Sequence, residues 1–304
     1  MDRYVAQPIL GVRSDLADGP MYDDRTGELL WVDILAGDVH LARRDRGEGW
    51  QFSEHAVFQI GEEVSAVVPA ADPDDGSVVA ARYGFGRLSR AGHFTSLSVP
   101  ERGVEPPTRM NDGTCDPLGR FWAGSVGMEV EAGVARLHRL DPGGACVQML
   151  TGVTVSNGMA WSDAHTAYYI DSPTHRIDVL RVAEDGSIVS RESAFGVDPA
   201  LGFPDGMSID AEGRLWVALW GGSAVGCFTS DGELVATVEV AATHVSSCAF
   251  GGSDLSTLFV TTARPTWLSD EALAAEPSSG FVFAVDLPTP GVPVDRFGQP
   301  RQDR

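Results

Sequence analysis

The 304-residue sequence contains no lysine, and all 22 of its basic residues are arginine. This absence excludes a Schiff-base lysine and the lysine of a P-loop, together with the enzyme classes that depend on either. The four cysteines include no CxxC pair, and the seven histidines form neither an HExxH nor an HxH motif. A thiolate zinc site and a disulfide framework are therefore not indicated. Any bound metal is expected to take oxygen ligands.

Positive charge is scarce as a whole, since the formal net charge is -21 at pH 7. Nucleic acids and anionic membranes select for clustered positive charge, so neither is expected as a partner. No apolar run is long enough to span a bilayer. The first residues, MDRYVAQPIL, lack the basic segment and following apolar run of a secretory signal. These features predict a cytoplasmic protein, and they do not indicate its oligomeric state.

The strongest positive signal is a six-fold repeat. Each copy runs from a small residue through an apolar pair and a polar turn into a second apolar strand, as in GMSIDAEGRLWVA. The copies open at Gly19, Ser65, Gly113, Gly158, Gly206 and Cys248. Successive starts lie 46, 48, 45, 48 and 42 residues apart, which is the length of a four-stranded propeller blade. The pattern predicts an all-β, six-bladed β-propeller that occupies residues 1–304 as a single domain.

The two ends of the chain are predicted to close this ring. The segment ILGVRS at 9–14 precedes the first repeat, and GFVFAVDL at 280–287 follows the last inner strands. Unjoined ends would expose sheet edges, so these segments are expected to pair within one blade. The segment TWLSDEALAAEP at 266–277 has a capping residue followed by good helix formers, and it predicts a short helix outside the blades. Residues 128–135 are expected to be helical or irregular.

Oxygen-bearing side chains stand directly before four of the repeats, at Asp18, Asp112, Asn157 and Asp205. Equivalent positions in a closed ring point to equivalent places, so these side chains are expected to meet at one end of the central channel. Carboxylate and amide oxygens hold Ca²⁺, Mg²⁺ or Mn²⁺, and an open three-ligand site also accepts Zn²⁺. Asp-Gly and Asn-Gly are also ordinary turn dipeptides. Their recurrence at one register is what favours a site over a set of unrelated turns.

The segment RMNDG adds Arg109 and Asn111 beside the third repeat. Arginine orients oxygen atoms through its forked donors, and asparagine offers both a donor and an acceptor. An ion pair between Arg109 and a channel carboxylate is the structural alternative to a substrate contact.

The chain resembles the SMP-30/gluconolactonase/LRE family over nearly its whole length, in the segments LADGPMYD, RMNDGTCDPLGRFWAGS, SNGMAWS, FPDGMSIDAEGRLWVALWGG and VSSCAFGGSDLSTLFVTTA. The resemblance implies a six-bladed propeller with one catalytic divalent cation (Ca, Mg, Mn or Zn) in its channel. It implies that Asp18, Asn157 and Asp205 hold this cation. It also implies that Arg109 and Asn111 contact the substrate, and the family's acidic substrate contact falls nearest to Glu129.

One motif departs from the family pattern. The first motif of the family reads LGEGP, whereas this chain has LADGP with Asp18. The aspartate is shorter than glutamate by one methylene, or about 1.5 Å of reach. Direct coordination by Asp18 and coordination through a water therefore both remain open.

The function implied by the resemblance is hydrolysis of a small lactone, with sugar lactones as the leading substrate class. The cation would polarise the ester carbonyl, and Asp205 or a metal-bound water would supply the base or nucleophile. Two alternatives remain open. One is an organophosphate hydrolase of the diisopropylfluorophosphatase type, and the other is a non-catalytic propeller that binds calcium.

Overall fold

A computed structural model describes residues 1–44, 50 and 52–301 of the chain. Within these residues the strands form six sheets of four or five strands each. The first strand of each sheet contacts the first strand of the next, and the sixth sheet returns to the first. The sheets are therefore the blades of a closed ring around a central channel, which confirms the predicted all-β, six-bladed propeller.

The two N-terminal strands belong to the last two blades. They are β1 (Asp2–Val5) and β2 (Gln7–Leu10). Blade 1 then contains β3 (Ala17–Asp23), β4 (Glu28–Asp33), β5 (Asp38–Arg44) and β6 (Phe52–Gln59). Blade 2 contains β7 (Val64–Pro69), β8 (Ser77–Ala81), β9 (Gly84–Leu88) and β10 (Phe94–Ser98). Blade 3 contains β11 (Thr108–Cys115), β12 (Phe121–Gly127), β13 (Ala135–Leu140) and β14 (Cys146–Val153).

The remaining blades continue in the same order along the chain. Blade 4 contains β15 (Ser156–Asp163), β16 (Thr166–Asp171), β17 (Arg176–Val182) and β18 (Ile188–Gly196). Blade 5 contains β19 (Phe203–Ile209), β20 (Leu215–Trp220), β21 (Ala224–Phe228) and β22 (Leu234–Glu239). Blade 6 contains β23 (Val245–Gly251), β24 (Thr257–Thr262) and β25 (Val282–Asp286), with β2 as its fourth strand.

The ring is closed by the predicted pairing of the two chain ends. Strand β2 runs antiparallel to β25, with Gln7 opposite Ala284 and Leu10 opposite Val282. The strand begins two residues before the predicted segment, and the backbone N–H of Ser14 still donates to the carbonyl of Gly280. An additional pairing was not predicted, because β1 adds in parallel to β22 as a fifth strand of blade 5. The first ten residues therefore join two blades.

The hydrophobic core of the described residues consists of six clusters, each located between two neighbouring blades. The cluster between blades 6 and 1 includes Trp31 from β4 together with Phe259 from β24, and both side chains are fully buried. Since every blade contributes one face to each of two clusters, no blade can bury its apolar residues alone. The ring consequently holds the inner strands at fixed distances around the channel.

Each of the six inner strands is interrupted by a register shift near its beginning. In β3 the shift follows Asp18, and in β15 it follows Asn157. An extra residue in one strand bends it and changes the direction of the neighbouring side chains. These irregularities fall at the positions that the sequence marks as candidate ligands, and they repeat around the ring because the blades repeat.

Several further segments of the described chain lie outside the blades. The predicted short helix is present as α1 (Asp270–Ala275), with Ser269 Oγ accepting a hydrogen bond from the N–H of Ala272 at 3.2 Å. Residues 128–134 form turns, and short 3₁₀ helices span Pro73–Asp75, Ser172–Thr174 and Pro199–Leu201. In the described part of the chain, no helix has the length and apolar character needed to cross a membrane.

The segment after β25 crosses the end of the ring where the inner strands finish. Its residues form backbone bridges to Asp210 of blade 5 and Ala70 of blade 2, and Gly298 donates to the carbonyl of Gly119 in blade 3. The candidate ligands lie at the opposite end of the channel, where the inner strands begin.

Candidate functional site

A cavity of about 450 Å³ opens at the end of the channel where the inner strands begin. It is lined by five residues that the sequence singles out: Asp18, Arg109, Asn111, Asn157 and Asp205. They come from the inner strands of blades 1, 3, 4 and 5. Side chains separated by up to 187 positions are thus brought into one pocket, because the ring places the same part of each repeat around the channel.

Two other candidate residues lie elsewhere. Glu129 is exposed in the 128–134 turn and is not among the residues that line the cavity, although its neighbour Val130 is. Asp112 lines a smaller cavity of about 80 Å³ nearer the other end of the channel. In β11 the register shift lies before Asp112, at Asn111, whereas in β15 it lies after Asn157. A shift of one residue reverses the facing of a strand side chain, so blade 3 presents Asn111 to the large cavity.

The aspartates in the channel share a local geometry. One carboxylate oxygen of Asp18 accepts a hydrogen bond from the N–H of Gly19 at 2.7 Å, and Asp112 does the same with Gly113 at 2.6 Å. The carboxylate of Asp205 likewise accepts a hydrogen bond from the N–H of Gly206. The Asp-Gly pairs therefore act as small turns that fold the carboxylate back over its own strand. Their second oxygens remain available to a ligand.

A chain of hydrogen bonds joins blades 3, 4 and 5 beneath the cavity. Asn111 donates through Nδ2 to Oδ1 of Asn157 at 3.0 Å and to the carbonyl of Ser156 at 3.0 Å. Asn157 then donates through its own Nδ2 to Oγ of Ser172 at 2.7 Å. Ser172 in turn donates to the carbonyl of Pro204, which precedes Asp205, at 2.6 Å. The side-chain amide of Asn157 is thereby oriented with its oxygen toward Asn111 and the cavity.

Sequence reasoning did not identify Ser172. It opens a short 3₁₀ helix after β16, in the segment Asp-Ser-Pro. A hydroxyl residue followed by proline at the end of a strand is a common turn signal. It carries no indication that the hydroxyl group contacts a residue in the next blade, because that contact depends on how two blades pack.

The buried carboxylates along the channel repel one another. Burial, followed by the charge of Asp112, raises the pKa of Asp18 well above its usual value, and Arg109 acts in the opposite direction. Burial, followed by the charges of Asp18 and Asp112, likewise raises the pKa of Asp205. Burial raises the pKa of Asp112 to about 6. Several buried carboxylates therefore lie close enough to repel one another, an arrangement that a bound cation relieves.

Arg109 lies along the wall of the cavity and is bonded within its own strand. One terminal nitrogen donates to the carbonyl of Met110 at 2.9 Å and to Oδ1 of Asn111 at 3.1 Å. Burial lowers the pKa of its guanidinium, while the charges of Glu63 and Asp18 act against that shift. Among the described residues, no carboxylate lies within ion-pair distance of Arg109. Its remaining donors are therefore available to a bound molecule.

The donor set fits a hard divalent cation only when the amide is included. No group of three His, Cys, Asp or Glu side chains within residues 1–44, 50 and 52–301 is placed to hold a metal ion. Two carboxylates, Asp18 and Asp205, line the cavity together with Asn157. Oδ1 of Asn157 accepts one hydrogen bond and keeps a second lone pair. This set of three oxygen donors suits Ca²⁺, Mg²⁺ or Mn²⁺ and leaves coordination positions open.

The fold and the cavity define a six-bladed propeller with an acidic site at one end of its channel. The chain belongs to the SMP-30/gluconolactonase/LRE-like family, whose model matches residues 16–264. A 6-deoxy-6-sulfogluconolactonase from Pseudomonas putida is 35% identical over 288 residues, covering 91% of this chain and 93% of the relative. Regucalcin from Danio rerio is 32% identical over 293 residues, covering 94% and 95%.

The similarity extends to solved structures. A calcium-binding protein, regucalcin, from Agrobacterium tumefaciens superimposes with a TM-score of 0.88 at 25% identity. The match covers 98% of this chain and 99% of that one. The fold is therefore similar along nearly the whole of both chains.

Proposed function

We propose that this protein is a metal-dependent hydrolase that opens a small lactone, with sugar lactones as the leading substrate class. The supporting observation is the presence of Asp18, Asn157 and Asp205 in one cavity together with Arg109 and Asn111. A relative named as a sulfogluconolactonase supports the lactone as substrate, and a structural neighbour described as calcium-binding supports the divalent cation. A location in the cytoplasm is part of the same proposal.

The cation would be held by Asp18, Asn157 and Asp205, which offer two carboxylate oxygens and one amide oxygen. When bound, it would supply a Lewis acid for the ester carbonyl and for the negative charge that develops on its oxygen. The hydrogen bonds from Asn111 to Asn157 and from Asn157 to Ser172 keep the amide oxygen facing the cavity. Such partners fix a ligand's orientation before the metal binds.

The side chains around the cavity divide the remaining tasks. Asp205 takes a proton from the attacking water, and the N–H of Gly206 keeps its carboxylate oriented. Arg109 holds substrate oxygen atoms with its unengaged donors. Both N–H groups of Asn111 are already engaged, so it offers only Oδ1 to a substrate. A contact between Glu129 and the substrate stays a prediction, since the Glu129 side chain is exposed beside Val130, which lines the cavity.

The reaction adds one water across the acyl–oxygen bond of the ring. The water oxygen bonds to the carbonyl carbon, and the ring C–O bond breaks. The alkoxide that leaves takes up the proton, so that one lactone and one water become one hydroxy acid. In this proposal Asp205 accepts the proton in the first step and returns it in the second.

The deciding experiment measures activity and metal content on the same samples. We expect Asp205→Ala and the closer isostere Asp205→Asn to lose lactone hydrolysis and metal retention together. Asp74→Asn, an exposed aspartate outside the cavity lining, serves as the control and should match the wild type in both. Full turnover by Asp205→Ala in the presence of a chelator would refute the proposal.

The same assay separates the alternatives. Gluconolactone and a fluorophosphate ester are tested in parallel with Mn²⁺, Ca²⁺, Mg²⁺ and Zn²⁺. Turnover of the fluorophosphate alone would support the organophosphate hydrolase. Metal binding without turnover of any ester would support the non-catalytic calcium-binding propeller.

A further inference from the structure

The entrance of the candidate cavity is apolar, although the chain carries a formal net charge of -21. Ten of the sixteen residues that line the cavity are apolar. Four of these are large and exposed: Leu35 (45%), Val130 (55%), Phe203 (47%) and Trp267 (67%). We call these four residues the apolar rim. In the described part of the chain, Phe203 and Trp267 are the exposed large aromatic side chains, and both face this one cavity.

The aromatic residues of the rim are held in place by neighbouring rings. The ring centres of Trp267 and Trp220 are 6.5 Å apart, and Trp220 also lines the cavity. Trp220 in turn packs edge-on against His244, with 4.8 Å between the ring centres. The ring centres of Phe203 and His175 are 4.5 Å apart. The segment that carries Trp267 is tied to blade 5 by the N–H of Thr243, which donates to Glu276 at 2.9 Å. The rim is thus a formed surface around the entrance.

Polar and apolar groups are separated by depth within the cavity. Asp18, Asn111, Asn157 and Asp205 are each 8% exposed or less and form the floor. Apart from Arg109, the walls above them consist of side chains such as Ile34, which offer no hydrogen bond. A hydroxyl group placed against these walls would lose its bonds to water without replacement. A small polar ring therefore fits only the floor and leaves the rim uncovered.

The cavity is larger than a single small ring requires. Its volume of about 450 Å³ falls within the range of pockets that enclose drug-sized ligands. Exposed apolar surface of this kind, bordered by polar groups, marks a binding site. Because it lines the same cavity as the polar floor, one molecule can contact both.

We propose that the substrate is a lactone that carries an apolar alkyl or aryl substituent. The lactone ring lies on the polar floor, and the substituent packs against Leu35, Phe203 and Trp267. This inference rests on the proposed lactone hydrolysis, replaces sugar lactones by apolar-substituted lactones as the leading substrate class, and names the residues that determine specificity. The chemistry is unchanged, since water still adds across the acyl–oxygen bond and the product is a hydroxy acid with the substituent retained.

The test uses γ-lactones whose side chain grows from methyl through propyl to hexyl, a γ-phenyl lactone, and gluconolactone as the polar comparison. We expect kcat/KM to rise by up to about four-fold for each methylene that the rim buries. Trp267→Ala and Leu35→Ala should each lower the hexyl-to-methyl ratio of kcat/KM by about ten-fold. Leu97→Ala is the matched control, because Leu97 has the same 45% exposure on an outer strand of blade 2. It should keep the wild-type ratio.

The possible results distinguish this inference from the proposed function. If no lactone of either kind is hydrolysed with any divalent cation, the proposed function itself fails. If lactones are hydrolysed but kcat/KM is flat along the series, or highest for gluconolactone, only the inference is overturned. Equal ratios for Leu35→Ala and Leu97→Ala would also overturn it. The inference would also be overturned if the wild type is a dimer, and the Trp267→Ala substitution dissociates it without changing the hexyl-to-methyl ratio. The rim would then be a subunit interface.

Discussion

Asn111 donates through Nδ2 to Oδ1 of Asn157 at 3.0 Å, and this bond joins the inner strands of blades 3 and 4 at the floor of the cavity. Both residues are buried, so the bond is shielded from competing water. The second N–H of Asn111 is held by the carbonyl of Ser156, the residue before Asn157. Asn111 therefore fixes both the backbone and the side chain of its neighbour.

Replacing Asn111 by aspartate is expected to weaken metal binding and activity by about 10- to 100-fold, the usual effect of losing a group that orients a metal ligand. The variant removes both donated bonds and places a carboxylate oxygen against Oδ1 of Asn157. Calorimetric titration of the metal-free protein with Ca²⁺ and Mn²⁺ measures the change in affinity. The amide is regained in Asn111→Gln, although one methylene further out.

The comparison between the two variants makes the outcome specific. Partial recovery in Asn111→Gln would indicate that the lost donor is responsible. Unchanged metal affinity in Asn111→Asp would contradict the role assigned to this bond.

His40 provides a pH-dependent contribution to stability. Burial, and secondarily the charge of His55, lowers its pKa from 6.5 to about 4, while its ring stacks on Trp31 at 4.8 Å. Since the folded-state pKa lies below the unfolded value, the folded protein favours neutral His40. The stability that depends on this neutral form is complete above pH 6.5 and is lost as the pH falls toward about 4. This lowering of the pKa by about 2.5 corresponds to at most about 3.4 kcal/mol.

The variant His40→Phe should retain the stack on Trp31 and remove the titration. Its free energy of unfolding, measured with urea between pH 7 and pH 4, should depend less steeply on pH than that of the wild type. His93→Phe alters an exposed histidine and should keep the wild-type slope. Parallel curves for wild type and His40→Phe would show that His40 does not carry the effect.

Removing residues 1–10 is expected to lower the melting temperature by on the order of 10 °C or more, because several kcal/mol of pairing and burial are lost. The deletion takes away β2, the outer strand of blade 6, and leaves the edge of β25 unpaired. Removing residues 1–5 deletes only β1 from blade 5 and should have a smaller effect. Thermal unfolding of the three proteins provides the measurement. A 1–10 deletion that melts like the full chain would contradict closure by these strands.

The parts that sequence could predict are those that repeat. The six inner strands, and the positions of Asn157 and Asp205 on them, follow from spacing alone, since a ring treats equivalent residues alike. Asp112 departs from this symmetry because the register shift in β11 lies two residues earlier relative to the Gly. The spacing of repeats contains no information about such a shift.

The apolar rim was also beyond prediction from sequence. Leu35 and Trp267 come from loops of different length, and the path of a loop depends on the packing beneath it. The segment containing Trp267 was recognised only as a short helix beside the blades. An exposed tryptophan in an acidic segment was a signal, but nothing in the sequence related it to Phe203 or to the cavity.

Gly158 connects blade packing to the geometry of the site. By sequence, the glycines after the candidate ligands belong to turn dipeptides, which accounts for them only in part. Gly19 does adopt a positive φ of 53°, but the space beside Gly158 is taken by the next blade. A Cβ atom there would lie 2.4 Å from the carbonyl oxygen of Asp205 and 2.9 Å from the N–H nitrogen of Met207. Because both atoms belong to the backbone, β19 would have to move.

Gly158→Ala is therefore expected to displace Asp205 and to lower kcat/KM for a lactone by about 100-fold, since a shift of about 1 Å at a reacting group has an effect of this size. Gly143→Ala is the matched control, because a Cβ atom at Gly143 would have no neighbour within 4 Å. Steady-state kinetics on both variants, with circular dichroism to establish that each is folded, provide the test. Wild-type kcat/KM in a folded Gly158→Ala would mean that the position of Asp205 tolerates movement of β19, and its assignment as the base would then have to be abandoned.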